Sequence, residues 1–233
     1  MELLISLLVA VLFVVLFHKP LHAMPVVFYA VAAAVDLLYA FGAVCGLPLP
    51  VWNVVLFLVQ RCQLSVMLFA VVMFIGVLAK DSAVRRALTP VRGELSIVAA
   101  ILAMGHIVYH VTVFARQLAS SVGLPLSRTI SLLVAVVLVV LLVVLTVTSF
   151  KAVRARMSVS AWRMVQRGAY VFFGLVIIHV ALIFQPALAA GSQEVWTRFA
   201  LYAVLFAAYA VLRVRRAVLD GKDHKGKAVA HGE

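Results

Sequence analysis

An all-α bundle of about seven membrane-spanning helices is the fold class that this sequence predicts, on three observations. Apolar residues fill 66% of the 233 positions, where a soluble domain is nearer half apolar. They come in long runs. Ile130–Val147 carries no charged side chain, and about 18 or more such residues in a row read as a membrane span. The charged residues, 12% of the chain, gather in short segments between the runs. One membrane domain then occupies nearly the whole length and leaves no room for a soluble catalytic domain.

The first apolar stretch, 2–18, lacks the positive start of a secretory signal, and His18, Lys19 and Pro20 follow it instead of a small-residue cleavage site. It reads as a retained N-terminal helix. The remaining spans are expected at 25–45, 61–79, 95–115, 128–150, 167–185 and 195–213. Breakers separate them: Pro20 and Pro25, Gly46 to Pro50, Pro90 and Gly93, Gly123 and Pro125, Pro186 and Gly191. Val51–Val59 is apolar but too short to span, and it predicts an interfacial segment with Trp52 at headgroup level. The tail after Asp220 is short, polar and rich in Lys and Gly, a composition that predicts disorder. No internal repeat is visible. The domain division is 1–24 for an extra helix and loop, 25–216 for the membrane domain, and 217–233 for the tail.

The net charge of +12 would suggest nucleic acid in a soluble protein. Here the positive-inside rule accounts for it. Lys19, the segments 80–92 and 151–167, and the tail from Arg213 fall on one side and hold sixteen of the twenty Lys and Arg. Only Arg61, Arg116, Arg128 and Arg198 fall on the other. The rule predicts a multi-pass protein of a bacterial cell membrane, with the N-terminus outside and the C-terminus cytoplasmic. The fourth and sixth spans then both run outward.

Ionisable groups inside a bilayer are costly and mark function. The fourth span holds His106 and His110, the sixth His179, and the second Asp36. His106 follows Arg92 by 14 residues and His179 follows Arg167 by 12, so both stand roughly 18–21 Å above the cytoplasmic boundary. Two imidazoles at one depth on co-directional helices suit the two faces of a haem, whose iron accepts axial imidazoles. Gly105 and Gly174 would leave space for the ring, and Tyr170, Phe172 and Phe173 offer aromatic packing or plain core. His110, one turn beyond His106, is open between ligand, hydrogen-bonding neighbour of a ligand, and headgroup-level residue. Asp36 is open between orienting an imidazole, relaying protons, and pairing with a polar group on another helix. Arg61 and Arg116 lie near the height where haem propionates would emerge, or are interfacial arginines. Cys45 and Cys62 read as ordinary apolar cysteines in preference to a disulfide.

Two segments carry a family resemblance. Arg92-Gly-Glu-Leu-Ser-Ile-Val-Ala-Ala-Ile-Leu-Ala-Met-Gly-His106 keeps 11 residues from Leu95 to its histidine, and Trp162-Arg-Met-Val-Gln-Arg-Gly-Ala-Tyr170 runs on to His179. With these the chain resembles the ferric reductase-like transmembrane domain superfamily, and within it the haem-binding membrane subunit of the periplasmic methionine-sulfoxide reductase system. The resemblance covers about 25–213 and implies a six-helix core with one additional N-terminal helix. Where relatives carry a histidine 13 residues before His179, this chain has Gln166, and Gly93 and Arg92 stand 13 and 14 residues before His106. The resemblance therefore implies one haem b in the outer half of the membrane, held by His106 and His179, and no inner haem.

The function expected is a membrane b-type cytochrome subunit, not catalytic alone. It would pass electrons from a cytoplasmic flavin or nicotinamide reductase, or a quinol, to an extracytoplasmic redox protein. A flavin or quinone could come from a partner. The alternatives are a small proton-coupled permease, which would call for Gly/Pro-broken midplane helices and paired repeats, and a non-redox membrane scaffold.

Overall fold

The computed structural model describes residues 2–119, 123 and 125–230, with backbone alone at 43 and 222–230. The described residues form helices α1 (Glu2–Ala23), α2 (Pro25–Cys45), α3 (Leu49–Val59), α4 (Gln63–Ile75), α5 (Ala83–Leu88), α6 (Arg92–Ala119), α7 (Leu126–Val147), α8 (Lys151–Arg154), α9 (Val159–Gln166), α10 (Gly168–Ala189) and α11 (Gln193–Ala230). Six are long and apolar enough to cross a membrane, α9 and α10 counting as one, and the bent pair α3–α4 makes a seventh. The expected all-α, multi-pass architecture is what the chain adopts.

Lipid as the outer solvent explains the surface. On α7 the hydroxyl-bearing Ser131 is fully buried, whereas Val136, Val137, Val140 and Val143 are exposed. A water-soluble helix would show the reverse. In hydrocarbon the backbone must satisfy itself within helices, and polar side chains turn inward to find partners.

The core is built on α4. Its Met67, Leu68 and Ala70 are almost wholly buried and belong to one cluster with Leu95, Val98, Ala99 and Leu102 of α6 and Ala10 and Val14 of α1. Aromatic contacts tie in the C-terminal helices: Phe69 meets Phe172 at 5.2 Å between ring centroids, and Phe173 stacks on Phe206 at 4.2 Å. α10 packs on α7 and α11, while α6 packs on α2 and α4.

The third span differs from expectation. It is not one helix over 61–79; α4 has 13 residues, about 20 Å at 1.5 Å each, and α3 precedes it at a 43° bend. The chain turns at Cys62, which has a left-handed φ of 54°. Nor does 51–59 stand apart from the bundle. Val55 and Val59 of α3 are buried, Val59 completely, and Trp52 stacks on Tyr39 of α2 with the rings inclined by 10°. One face of α3 therefore packs on protein, while Leu49, Val51 and Val54 remain exposed.

The tail differs as well. α11 continues through Asp220 to Ala230 as helix, where an irregular segment was expected; residues 231–233 lie outside the described residues. Around its exit from the bundle, Asp220 accepts an ion pair from Lys80 at 2.7 Å and from Arg216 at 3.1 Å. The Lys80 pair fastens α11 to the segment after α4, and the Arg216 pair lies within α11 itself.

Ion pairs also sort the helix ends. Glu2 pairs with Arg61 and lies 3.8 Å from Arg198, so the starts of α1 and α11 share an end with the α3–α4 bend. Glu94 Oε1 lies 3.1 Å from Lys151 and 3.5 Å from His22, which gathers the end of α1 and the starts of α6 and α8.

Candidate functional site

The bend between α3 and α4 has a chemical consequence. A carbonyl at the end of a helix loses its partner four residues on, and Gln60, which follows α3, is such a residue. Its carbonyl oxygen lies 2.7 Å from Nδ1 of His106 on α6. A carbonyl only accepts, so the hydrogen sits on Nδ1 and the lone pair of His106 is on Nε2. Sequence reasoning missed Gln60, because a backbone acceptor released by a bend has no side-chain signature.

His179 on α10 is held in a similar way from α7. Its Nδ1 lies 3.1 Å from Ser131 Oγ and 3.3 Å from the Ser131 carbonyl oxygen. The carbonyl again assigns the hydrogen to Nδ1 and leaves Nε2 with the lone pair. Ser131 also escaped notice, although a lone hydroxyl in the run Ile130–Val147 was a legible signal.

His106 and His110 stand together on α6, and His179 stands on α10. The rings of His106 and His110 are 4.3 Å apart, tilted by 55°. His110 meets Tyr109 edge-on at 5.1 Å, and no carbonyl comparable to that of Gln60 or Ser131 holds it among the described residues.

Asp36 neighbours this site without touching an imidazole. Its Oδ2 accepts a hydrogen bond from the backbone N–H of Gly105 at 3.2 Å, and its Oδ1 is buried without a partner among the described residues. Asp36 thus pairs with a polar group of another helix, and the group is backbone. Gly105 corrects an expectation. It does not clear space for a ring: a Cβ there would stand 2.4 Å from Val59 Cγ1 and 2.8 Å from Asp36 Oδ1. It lets α6 close on α2 and α3. Gly174, in contrast, faces open space, with nothing within 4 Å of a Cβ.

Other expected residues fall as follows. Arg61 already has a carboxylate, that of Glu2. Arg116 is exposed near the end of α6, with no ion pair among the described residues. Phe172 and Phe173 are buried core and Tyr170 is exposed, its ring lying 4.9 Å under the Arg213 guanidinium. Cys45 and Cys62 are both free thiols. Gln166 donates from Nε2 to Thr148 Oγ1 at 3.0 Å, so its amide braces α9 against the end of α7.

The donor set fits a haem. Among the described residues no three His, Cys, Asp or Glu converge as they would for a bare metal ion. A porphyrin supplies four nitrogen donors itself, so two imidazoles suffice. Metal-bound histidines characteristically donate their other ring N–H to a carbonyl or carboxylate, which fixes tautomer and orientation. His106 and His179 both do so.

A family model described as ferric reductase like transmembrane component matches residues 58–177, from the end of α3 into α10. Among curated proteins, an "Uncharacterized protein" of Treponema pallidum (strain Nichols) is 35% identical over 167 residues, which cover 71% of this chain and 46% of that relative. The chain thus spans about half the length of the curated relative it matches. No solved structure matches.

Proposed function

Because the chain belongs to the ferric reductase-like transmembrane component family, whose members typically bind haem, we propose that it is a membrane b-type cytochrome subunit carrying electrons from a cytoplasmic donor to an extracytoplasmic acceptor. The observation that carries this reading is the paired anchoring of His106 by the Gln60 carbonyl and of His179 by Ser131. Both imidazoles present Nε2 from helices that pack on different neighbours, α6 on α2 and α4, α10 on α7 and α11.

In this reading His106 and His179 would hold one haem b through their imidazoles. His110, which lacks a fixing carbonyl, packs beside His106. Bound haem would supply a one-electron iron couple. The chain's own work is to hold two imidazoles in one tautomer and orientation through Gln60 and Ser131, and to set the α6 backbone at His106 through the Asp36–Gly105 bond. Arg116 remains available to a propionate; Arg61 would have to share Glu2. Gln166, engaged with Thr148, supports a single haem. Residues 25–216 form the haem-binding domain, and the finer kinship is to the membrane subunit of the periplasmic methionine-sulfoxide reductase system. The N-terminus lies outside and the C-terminus in the cytoplasm, a reading that the sixteen-to-four charge split supports. The donor is a cytoplasmic flavin or nicotinamide reductase or a quinol.

Purified protein should show a reducible b-type spectrum with about one haem per chain and bis-imidazole ligation. His106→Ala and His179→Ala should each remove it, while His110→Ala and Gln166→Ala retain it. NADH alone should not reduce the haem, and a flavin reductase with NADH should. A haem-free protein, or His106→Ala with an unchanged spectrum, would end this reading.

A further inference from the structure

The end of the bundle remote from Arg61 contains a cavity of about 810 Å³ that the haem reading leaves unused. It opens among the starts of α2, α6 and α10, the ends of α4 and α7, and the segment of α11 around Arg213. Its lining is of two kinds. Phe69, Phe172 and Phe173 line an apolar part, and Arg85, Arg92, Arg154, Arg163, Arg167 and Arg213 stand among its other lining residues.

The charge within it is unbalanced. Of the two lining carboxylates, Glu94 is occupied by Lys151 and His22, and Asp220 by Lys80 and Arg216. None of the six arginines has a carboxylate partner among the described residues. Arg92 is the most exacting of them. Its Nε is shut away from the surface and has no hydrogen-bond partner among the described residues, and its guanidinium lies beside Gly76, where a Cβ would stand 3.8 Å from Nη2. Arg213 lies over the Tyr170 ring, which holds its planar fork in one orientation. A cationic cavity in low dielectric is expensive without an anion, and guanidinium forks match the oxygen geometry of phosphate. Topology alone needs positive charge in the loops, equally well served by lysine; it does not need arginines converging on one cavity with apolar walls.

We propose that this cavity binds a phosphate group, with Arg92 and Arg213 as its principal ligands. The apolar part of the lining, Phe69, Phe172 and Phe173, suits a phosphate carried on an acyl body, and basic pockets between membrane helices hold anionic headgroups in this way. The source is either an anionic phospholipid or free phosphate, which share the oxyanion chemistry. This inference does not depend on the histidines or on haem.

The test is native mass spectrometry of the purified full chain, with equal amounts of phosphatidylglycerol and phosphatidylcholine of the same acyl chains. One phosphatidylglycerol should remain bound in preference to phosphatidylcholine. Arg92→Gln and Arg213→Gln should each weaken that binding about tenfold, as loss of a charge-assisted hydrogen bond does. Arg86→Gln and Arg156→Gln, at exposed positions on the same basic end, should leave it unchanged. A parallel titration with inorganic phosphate separates the sources. If phosphate saturates the same Arg92-dependent site and displaces the lipid, the free anion is the ligand. If it does not, the lipid headgroup is. Should Arg92→Gln fail to fold, Arg92→Lys keeps the charge and loses the fork, and several-fold weaker binding is still expected. Equal binding of both lipids, or equal losses in the Arg86 and Arg92 variants, would overturn the proposal, because generic charge attraction would then explain everything.

Discussion

Replacing Gly105 by alanine tests the architecture around His106 most directly. The added Cβ would meet Val59 Cγ1 at 2.4 Å and Asp36 Oδ1 at 2.8 Å. Carbon atoms rest at about 3.5–4.0 Å, so α6 must part from α3 by roughly 1.1–1.6 Å, or Val59 must leave its completely buried position. Overpacking of this kind costs about 1–3 kcal/mol, and two contacts below 3 Å on opposite neighbours point to the upper part of that range. Alanine regains about 1 kcal/mol over glycine inside a helix. The net loss expected is about 1–2 kcal/mol. The same displacement stretches the Asp36–Gly105 bond and shifts His106 relative to the Gln60 carbonyl. Stability is read by denaturation in mixed micelles, and the site by haem per chain and the absorbance of the reduced form. Gly174→Ala is the matched control, since nothing lies within 4 Å of its Cβ; it should be neutral or stabilising by up to about 1 kcal/mol. Val59→Ala combined with Gly105→Ala should recover part of the loss, a coupling that a double-mutant cycle isolates. If Gly105→Ala is as benign as Gly174→Ala, or if Val59→Ala only adds to its cost, the close approach of α6 to α3 is not as described.

Further outcomes follow from single contacts. Gln166→Leu should cost about 0.5–1.5 kcal/mol through the lost bond to Thr148 and leave the haem spectrum intact; loss of haem would make Gln166 part of the site. Ser131→Ala keeps the backbone carbonyl and should retain haem while weakening it relative to wild type under denaturant, whereas His179→Ala removes it; equal loss in both would place the whole anchor on the hydroxyl. Glu2→Gln breaks an exposed pair and should change stability by no more than about 1 kcal/mol, with the difference vanishing in high salt. Lys151→Ala leaves the Glu94 carboxylate, which is 5% exposed, with His22 alone, and should destabilise more than Lys19→Ala in the same denaturation assay.

The sequence by itself determined the helical class, the approximate places of the spans, their alternation, and the pair of histidines worth attention. These depend on quantities that add up locally: about 20 apolar residues cross a bilayer whatever surrounds them, and an intramembrane imidazole is costly wherever it sits. Arg92 to His106 could be counted along one helix. What the imidazoles hydrogen-bond could not be counted, because the partners lie 46 and 48 residues away on other helices. Only the tertiary structure decided that 51–59 turns into the bundle and that the bend at Cys62 releases the Gln60 carbonyl. It also decided that Gly105 closes a helix contact instead of opening a ring site, and that Arg61 has Glu2. The tail illustrates the same division. Its polar composition carries no core of its own, yet α11 continues through it as helix. Backbone hydrogen bonds propagate along a helix that packing has already nucleated, and the nucleus here is a span docked on α10.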